Sequence, residues 1–422
     1  MRVCHITQDY GLGGAGAAMM HLHRALGELG VDSTVWTARR HVDDVGVRII
    51  DQPGLLNRIT SRMGRDWQRR INDDHQSRQR ATIFSVPPRS RRRMWRHITE
   101  PYDVVVFNWV AQMMTPADIA AIARRRTVVW RLTDLNPITG GCHSSMSCDR
   151  FTQHCHECPM VGDPANRRKI ASIHAGKMAS FSAIDRRRLT FIAQSRWMQN
   201  CIGRTSAASG FPIRVIRNGV DRARFHPAIR PDRRDAPVTF GVFASAGDVR
   251  RSTDALIRQW VGRVRDDVDS HRPMPSLRIY GTTAQDINVR GNHSKRSTKS
   301  NITLHPSVDA SAMPEVLSEL DGVLFPHRQD NCPNLVLESQ AVGTPVIAMS
   351  NSGVAELIRS GVNGISIDDG DFNGMCEAAM RFNPSDFDAD TVAQTVADIR
   401  DVAAKYAEVY RDASDAFRGS GG

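Results

Sequence analysis

The chain has 422 residues, of which 41% are hydrophobic and 24% are charged. This length exceeds what one hydrophobic core usually serves, and the composition is that of globular proteins, so a single small module, a collagen-like chain and a disordered chain are excluded. The formal net charge of +11 favours attraction to phosphates, nucleic acid or an anionic membrane surface. The positive charge belongs to residues 1–215, which hold 32 basic and 17 acidic side chains, whereas residues 216–422 hold 24 and 28.

The N-terminal sequence MRVCHITQDYG lacks the charged and apolar regions of a secretion signal, and no apolar run is long enough to span a membrane. We therefore expect a cytoplasmic protein, with peripheral attachment to the inner face of the cytoplasmic membrane left open. Four of the eight cysteines are scattered singly and four are clustered, which is unlike a disulfide-rich secreted scaffold.

The first predicted elements form a βαβ unit: VCHI predicts a strand, DYGLGGAG a turn that opens a helix, and STVWTA a second strand. A glycine turn at the positive end of a helix lets a phosphate or sugar approach backbone N–H groups, which makes Gly13 and Gly14 candidate donor-binding residues. A purely structural tight turn is the alternative. The spacing is not GxGxxG and no acidic residue ends the second strand, so hydride transfer is disfavoured.

Four more apolar segments, YDVVVFNW, TVVWRL, LTFIAQS and IRVIRNG, predict further strands of a parallel, doubly wound sheet. They place an N-terminal domain at 1–215, with an arginine-rich insertion at about 55–96 and a cysteine-rich loop at 140–160. Apolar residues recur at four-residue intervals in this insertion, which holds twelve arginines; they are Leu55, Ile59, Met63 and Trp67. This basic amphipathic helix either covers the sheet with a solvated arginine face or docks on an anionic acceptor or membrane.

The second half repeats the same alternation after a linker rich in proline and charge, NGVDRARFHPAIRPDRRDAP. VTFGVFAS, LRIYG, ITLH, DGVLFPH, TPVIAM and ISI predict the strands of a C-terminal donor-binding domain at 216–385. Residues 386–422 predict a helix that returns to the N-terminal domain and ends in a disordered tail.

The most specific candidate site follows the predicted strand DGVLFPH. The sequence HRQDNCPNLVLESQAVGTP predicts Pro333 in the first turn of a helix that carries Glu338. The backbone N–H groups of Asn334, Leu335 and Val336 can face a diphosphate at the start of this helix. Because a carboxylate one turn inside can accept hydrogen bonds from vicinal hydroxyls, the pattern predicts a site for an anion and a polyol.

With these motifs the chain resembles the retaining glycosyltransferases of family 4. Their GT-B fold has two Rossmann-like, doubly wound α/β domains that face a central cleft. The family carries Glu-x7-Glu before A-x-G-x-P-V; here Glu338 is the second acid and Asp330 stands in place of the first. DNCPN is similar to the DNLPN of a bacterial polysaccharide subgroup. The resemblance implies that Glu338 binds the donor ribose and Asp330 the transferred sugar, with Asn331 beside them.

The first half resembles the same subgroup. RLTDLNPITGGCHSSMSCDRFTQHCHECP at residues 131–159 is similar to TLHDMWPFTGGCHYSGDC followed by Cys-x2-Cys-Pro. The resemblance implies that Asn108, Trp109, Thr133 and Asp134 lie at the acceptor side of the cleft. The family's histidine before the aspartate is Thr133 here, and its HLHW is FNW. An imidazole that orients the sugar is therefore replaced by Asn108 or Thr133, or that contact is absent.

Two shorter motifs are similar to the same family. In GVFASAGDVRRSTDALI, Arg250 and Arg251 occupy the positions of an Arg-Lys pair, where a fixed guanidinium stabilises the charge on a leaving diphosphate. Arg251 is the preferred clamp, and two solvated surface arginines are the alternative. FIAQSRW resembles the family's S-x-W segment and implies that Ser195 and Arg196 border the cleft.

The clustered cysteines, Cys142, Cys148, Cys155 and Cys158, have the spacing Cys-x5-Cys-x6-Cys-x2-Cys. Four thiolates this close together can form a closed, tetrahedral structural zinc site. Unligated or redox-exchanging thiols are the main alternative, and stable disulfides are a third. A catalytic metal is not expected, because no open set of histidine and carboxylate ligands is evident.

The expected function is transfer of a hexosyl group, with retention, from a nucleotide-diphosphate sugar to a hydroxyl of a glycan or lipid-linked glycan. The resemblance implies a role in bacterial polysaccharide or glycoconjugate biosynthesis, with no required cofactor and with the leaving phosphate taking the acceptor's proton, so that no metal is needed. One alternative is a catalytically impaired protein that only binds nucleotide sugars. The other is a basic nucleic-acid-binding protein, although no nucleic-acid partner is expected.

Overall fold

The computed structural model describes residues 1–50, 66–74, 84–231, 237–244, 252–266, 274–281 and 301–418. The chain divides into two compact units: unit 1 contains Met1–Asn218 and the segment that begins at Ile399, and unit 2 contains Gly219–Asp398. The division thus falls three residues after the expected one at 215, and residues 386–398 belong to unit 2 rather than to the returning segment. The predicted disordered tail at 419–422 lies outside the described residues.

Unit 1 is built on a parallel sheet. Its strands are β1 (Arg2–Tyr10), β2 (Asp32–Arg40), β3 (Val47–Ile49), β4 (Val104–Phe107), β5 (Thr127–Leu132), β6 (Leu189–Ala193) and β7 (Ile213–Val215). They lie in the order β3-β2-β1-β4-β5-β6-β7. The inner strands β4 and β5 are buried at every residue, which explains why they read as unbroken apolar runs.

Helices cover both faces of this sheet. They are α1 (Gly13–Glu28), α2 (66–74), α3 (Arg92–Thr99), α4 (Pro116–Ala123), α5 (Pro164–Ser182) and α6 (Arg196–Gly203). Trp95, Ile119 and Phe181 pack in the core on one face, and Met19 and Leu26 of α1 pack in the core on the other. Each unit of a doubly wound fold needs two such cores, because a parallel sheet is apolar on both sides.

Unit 2 repeats this architecture. Its strands are β8 (Thr239–Phe243), β9 (Ser276–Tyr280), β10 (Ile302–His305), β11 (Gly322–Phe325), β12 (Val346–Met349) and β13 (Gly364–Ile367), in the parallel order β10-β9-β8-β11-β12-β13. Its helices are α7 (Thr253–Asp266), α8 (Met313–Ser318), α9 (Asn334–Ala341), α10 (Phe372–Met380) and α11 (Ala389–Gln394). Apolar clusters lie on both sides of this sheet as well.

The last helix, α12 (Ile399–Arg418), packs on unit 1 beside α1. A buried guanidinium holds it there: Arg131 of β5 is 2% exposed, its Nε donates to the hydroxyl of Tyr406 at 3.0 Å, and its Nη2 donates to Oδ1 of Asn218 at 2.7 Å. Arg131 therefore ties both the end of the first chain segment of unit 1 and the returning helix to the sheet.

All twelve strands predicted from the sequence are present, so the parallel α/β prediction is confirmed for each unit. β3 was not predicted, because it has only three residues and two of them are exposed at the edge of the sheet. Of the arginine-rich insertion, residues 55–65 and 75–83 lie outside the described residues. In the described part, α3 buries Trp95 and exposes its arginines. Both alternatives for the basic helix, a solvated arginine face and docking on an anionic acceptor or membrane, stay predictions.

The strand order reverses between β1 and β4 in unit 1 and between β8 and β11 in unit 2. Open parallel sheets bind ligands beyond the carboxyl ends of their strands at such reversal points, because neighbouring loops diverge there. Gly13 and Gly14 follow β1, Asn108 and Trp109 follow β4, and the loop that carries Asp330 follows β11. The topology thus puts three predicted motifs at the reversal points of their own units.

Candidate functional site

The loop after β11 holds Asp330 by its backbone. The N–H of Asp330 donates to Oγ of Ser352 at 3.0 Å, the same hydroxyl donates to the carbonyl of Asp330 at 2.8 Å, and the N–H of Gly353 donates to that carbonyl at 3.1 Å. Ser352 has a φ of 52°, a left-handed conformation that costs a non-glycine residue free energy and is common at ligand sites. The Asp330 carboxylate lies 3.6 Å from Nδ1 of His327.

Helix α9 begins at Asn334 without a side-chain cap. Pro333 precedes it with φ −67° and ψ 126°, so the prediction that Pro333 lies inside the first turn is wrong by one residue. The extended ψ of Pro333 places this residue outside the helix, immediately before its first turn. Proline also has no side-chain acceptor that could cap the N–H groups of that turn. The N–H groups of Asn334, Leu335 and Val336 form the first turn and have no acceptor within the helix. This end of α9 is suited to an anion.

Glu338 lies one turn inside α9 and is half-buried. Burial raises the pKa of its carboxyl group to about 7, and the charge of Arg224 acts in the opposite direction. Its carboxylate has no hydrogen-bond donor among the residues that the structure describes, so both oxygens are available to hydroxyl groups. Asn331, in the preceding loop, is buried. The other two predicted donor ligands, Arg250 and Arg251, lie outside the described residues.

The glycines in the turn after β1 are required partly by backbone conformation and packing, and partly leave space for a ligand. Gly13 has a φ of 68°, which favours glycine, and a Cβ at Gly16 would approach the carbonyl oxygen of Asp9 to 3.0 Å. A Cβ at Gly13 or Gly14 would meet no atom within 4 Å among the described residues. Backbone conformation and packing therefore account for Gly13 and Gly16, while the space over Gly14 is open to a ligand.

An open pocket lies in unit 1 beyond β4 and β5, and its space, including the solvent at its mouth, is about 580 Å³. Four predicted acceptor residues line it, namely Asn108, Trp109, Thr133 and Asp134. Its walls also include side chains that the sequence did not point to, namely Met114, Ile119, Trp130, Lys177, Phe181 and Ile184. Helix α5 supplies Lys177 and Phe181, which lie more than 40 residues after the end of β5 in the sequence.

A chain of hydrogen bonds fixes the polar side of this pocket. Nδ1 of His143 lies 2.6 Å from Oδ2 of Asp134, and the indole N–H of Trp109 donates to the same oxygen at 2.7 Å. Nε2 of His143 lies 2.8 Å from the hydroxyl of Ser85, which accepts from Gln112 at 3.2 Å. If the neutral imidazole carries its proton on Nδ1, every donor in this chain has an acceptor.

The network keeps Asp134 ionised. Burial acts to raise the pKa of its carboxyl group, but His143, the N–H of Asn136 and the indole of Trp109 together hold that pKa below its usual value. His143 therefore supplies an imidazole beside Asp134. Sequence reasoning did not single out His143, although the GGCH motif places it nine residues after Asp134. The resembling family has this histidine in addition to the one before the aspartate, so the expectation that Asn108 or Thr133 replaces the missing histidine, or that the contact is absent, stays a prediction.

Lys177 is a second residue that the sequence did not indicate. It is 7% exposed, and its Nζ donates to the carbonyl of Asn136. Burial lowers the pKa of its ammonium group to about 8, while the thiols of Cys142 and Cys155 and the carboxylate of Asp134 act to raise it. No sequence signal marks Lys177, because its approach to the pocket depends on how α5 packs.

Two other predicted residues do not line the pocket. The hydroxyl of Ser195 caps α6 by accepting the N–H of Met198 at 3.0 Å, and Ser195 is 1% exposed. Arg196 is exposed at the start of the same helix. The structure thus gives Ser195 a role in capping, which explains a serine before a helix without reference to a ligand.

The four clustered cysteines lie near one another: burial raises the pKa of the Cys142 thiol, and Cys155, Cys158 and Cys148 act on it in the same direction. Burial raises the pKa of the Cys155 thiol to about 12, against the N–H of Gly140, which lowers it. Without a metal such thiols stay protonated. In the described part of the chain no three His, Cys, Asp or Glu side chains are placed to hold a metal ion. The zinc site stays a prediction.

Residues 238–382 match the sequence model of the family described as glycosyl transferases group 1. WcaC of Escherichia coli (strain K12), whose name assigns it to glycosyl transfer in colanic acid biosynthesis, is 24% identical over 242 residues, covering 55% of this chain and 54% of that protein. The D-inositol 3-phosphate glycosyltransferase of Pseudarthrobacter chlorophenolicus is 31% identical over 169 residues, covering 37% and 38%. The chain therefore spans about half the length, or less, of these curated relatives.

Solved structures extend the likeness to the whole chain. Sucrose-phosphate synthase from Thermosynechococcus elongatus has a TM-score of 0.62 at 14% identity, over 98% of this chain and 99% of that chain. Anabaena HepE in complex with UDP has a TM-score of 0.59 at 15% identity, over 98% and 100%. At such identities the likeness shows the fold alone, and the predicted GT-B fold is confirmed. None of the described helices is long and apolar enough to cross a membrane.

Proposed function

We propose that this protein is a retaining glycosyltransferase. It transfers a hexosyl group from a nucleotide-diphosphate sugar to a hydroxyl of a glycan or lipid-linked acceptor, in bacterial polysaccharide or glycoconjugate biosynthesis. The observation that carries the proposal is the start of α9. There an uncapped helix N-terminus and a half-buried carboxylate one turn inside lie within residues 238–382, the segment that matches group 1 glycosyl transferases.

Each part of that site suits one part of the donor. The N–H groups of Asn334, Leu335 and Val336 receive the diphosphate, because a helix N-terminus stabilises negative charge. Glu338 accepts hydrogen bonds from the ribose hydroxyls. Asp330, whose backbone is held by Ser352 and Gly353, orients the transferred sugar.

The reaction breaks the bond between the anomeric carbon and the diphosphate oxygen, and the acceptor oxygen bonds to the same face of that carbon. The acceptor's proton passes to the leaving diphosphate, so neither a side-chain base nor a metal is required. Charge on the leaving group grows along this path, and Arg251, assisted by Arg250, is the proposed clamp for it. Both arginines are assigned from the sequence alone.

The test is a thermal-shift screen with UDP, GDP, dTDP and their sugars, followed by transfer or hydrolysis of the labelled sugar that binds. A selective shift with one diphosphate fixes the donor class. The Glu338→Ala variant should then lose turnover, and Glu315→Ala is the matched control because Glu315 is an exposed acid of α8 in the same unit. Absence of any shift, or turnover that survives Glu338→Ala, contradicts the proposal.

The same screen separates the two alternatives. A protein that only binds nucleotide sugars shows a shift without transfer or hydrolysis for any donor in the panel. A nucleic-acid-binding protein shows steeply salt-dependent oligonucleotide binding that survives Glu338→Ala.

A further inference from the structure

The pocket of unit 1 has two chemically different sides. The side chains of its polar side are connected by hydrogen bonds. Lys177 donates to the backbone carbonyl of Asn136, and the backbone N–H of Asn136 donates to the carboxylate of Asp134. The same carboxylate accepts the indole N–H of Trp109. The other side is apolar and comes from α4, α5 and the segments beside them. It consists of Met114, Pro116, Ile119, Phe181 and Ile184.

Two residues that line this pocket hold three buried polar atoms without partners among the described residues. Asn108 is 3% exposed and lines the pocket, yet neither its Oδ1 nor its Nδ2 has a hydrogen-bond partner among the described residues. The indole Nε1 of Trp130, which is 5% exposed, has none there either. Buried amide and indole groups without partners are rare, because each forfeits the hydrogen bonds it makes with water. A ligand hydroxyl can both donate to and accept from an amide, so it would satisfy Asn108.

We propose that this pocket binds an acceptor whose reacting hydroxyl is attached directly to an apolar ring or chain. The hydroxyl lies against Asn108, and the apolar group lies against Met114, Ile119 and Phe181. This inference rests on the proposed glycosyl transfer and narrows its acceptor from any glycan to a molecule with an apolar body. A bare sugar would place its many hydroxyls against the apolar side without partners, which disfavours it.

The balance of charge supports an acceptor with little net charge. The ionised Asp134 is matched by the ammonium of Lys177 at the polar side, and no other charged side chain lines the pocket in the described part of the chain. A strongly anionic acceptor would leave Asp134 opposed by like charge.

Two serines of α5 provide a matched pair of variants. Ser180 lines the pocket and its hydroxyl donates to the carbonyl of Gly176 at 2.8 Å. Ser182 is exposed on the same helix and donates to the carbonyl of Met178 at 3.1 Å. Both changes to tryptophan remove one such bond, but only Ser180→Trp fills the pocket.

The fluorescent probe is 1-anilinonaphthalene-8-sulfonate, a molecule with apolar rings and one sulfonate. The experiment measures how well 2-naphthol and D-glucose each displace this probe. We expect one site per chain for the fluorescent probe, retained in Ser182→Trp and lost in Ser180→Trp. We expect 2-naphthol to displace it at a concentration lower by a factor of about ten or more than glucose, since each buried methylene-sized group is worth about a fourfold change in affinity. Equal displacement by glucose, or probe binding that survives Ser180→Trp, overturns the proposal.

A third variant keeps the proposal testable if Ser180→Trp does not fold. Asn108→Leu removes the unpartnered amide, so it should raise the thermal midpoint of the protein and weaken the binding of 2-naphthol. A role in packing alone predicts a change in stability without the loss of 2-naphthol binding, which would contradict the proposal.

Donor binding, followed by thermal shift in the same variants, should be unchanged. If no nucleotide sugar binds even the unmodified protein, the proposed function fails while the probe experiment still decides the chemistry of the pocket.

Discussion

Glu338 should make donor binding depend on pH near neutrality. Burial raises the pKa of its carboxyl group to about 7, whereas hydrogen bonds from two ribose hydroxyls favour the ionised form. Below this pKa the donor must therefore bind with release of a proton, which weakens binding. We expect the affinity for a nucleotide sugar to rise between about pH 6 and about pH 8 and then to level off.

The size of the effect follows from the fraction that is ionised. A group with this pKa is about one-tenth ionised at pH 6 and about nine-tenths ionised at pH 8, so affinity should change about tenfold, or about 1.4 kcal/mol. The stability of the unliganded protein should move the other way. The carboxyl of the unfolded chain ionises first, so stability is lost as pH rises from the usual pKa of about 4.5 to about 7.

The assay is titration calorimetry in buffers of different ionisation enthalpy, which counts the protons released on binding. A nucleotide sugar is a better ligand here than a free diphosphate, because its phosphates do not titrate in this range. Glu338→Gln keeps the shape of the side chain and removes the charge, so its affinity should be flat with pH, and Glu315→Gln should retain the pH dependence. An equal slope in Glu338→Gln and in the unmodified protein would refute the reasoning.

Three other predictions concern features away from the donor site. Tyr406→Phe removes an acceptor from the buried guanidinium of Arg131 and should lower the free energy of unfolding, measured with denaturant, by about 1.5–3 kcal/mol. The buried hydroxyl of Tyr410 has no partner among the described residues, so the control variant Tyr410→Phe should be neutral or stabilising. Metal analysis of the purified protein should find about one zinc per chain, lost in Cys158→Ser; a zinc-free protein leaves the cysteines as thiols. Co-sedimentation with anionic liposomes should weaken when arginines 58, 62, 65 and 69 are neutralised, and unchanged binding, or no binding at the start, makes that charge an ordinary solvated surface.

The fold was predictable because parallel sheets leave a strong local signal. Strands buried on both faces, such as Val104–Phe107, read as unbroken apolar runs between helix-forming segments. The exception is Val47–Ile49, where one buried residue out of three gives no periodicity to detect. The helix with Glu338 was predictable for a similar reason, since a proline, an apolar run and a terminal glycine lie within one short segment.

The pocket of unit 1 was less predictable because it is assembled from distant segments. Asn108 and Asp134 follow neighbouring strands, and their approach follows from the topology alone. Lys177 and Phe181 reach the same pocket only through the packing of α5, which no local pattern encodes. Ser195 was assigned to the border of the cleft from a family motif, and its hydroxyl caps α6 in the structure; its place beside the cleft stays a prediction.

The pair of Asp134 and His143 shows what a motif comparison by position leaves out. Thr133 stands where the resembling family has histidine, which suggests a weakened site if positions alone are compared. In space, however, an imidazole lies 2.6 Å from the carboxylate of Asp134, contributed by a residue nine positions later. The GGCH motif of the resembling family has a histidine at the position of His143 as well, so this ring does not replace the imidazole that Thr133 lacks. The hydrogen-bond partners of His143 set its tautomer and orientation, and the effect of Thr133 on turnover is a question that the transfer assay decides.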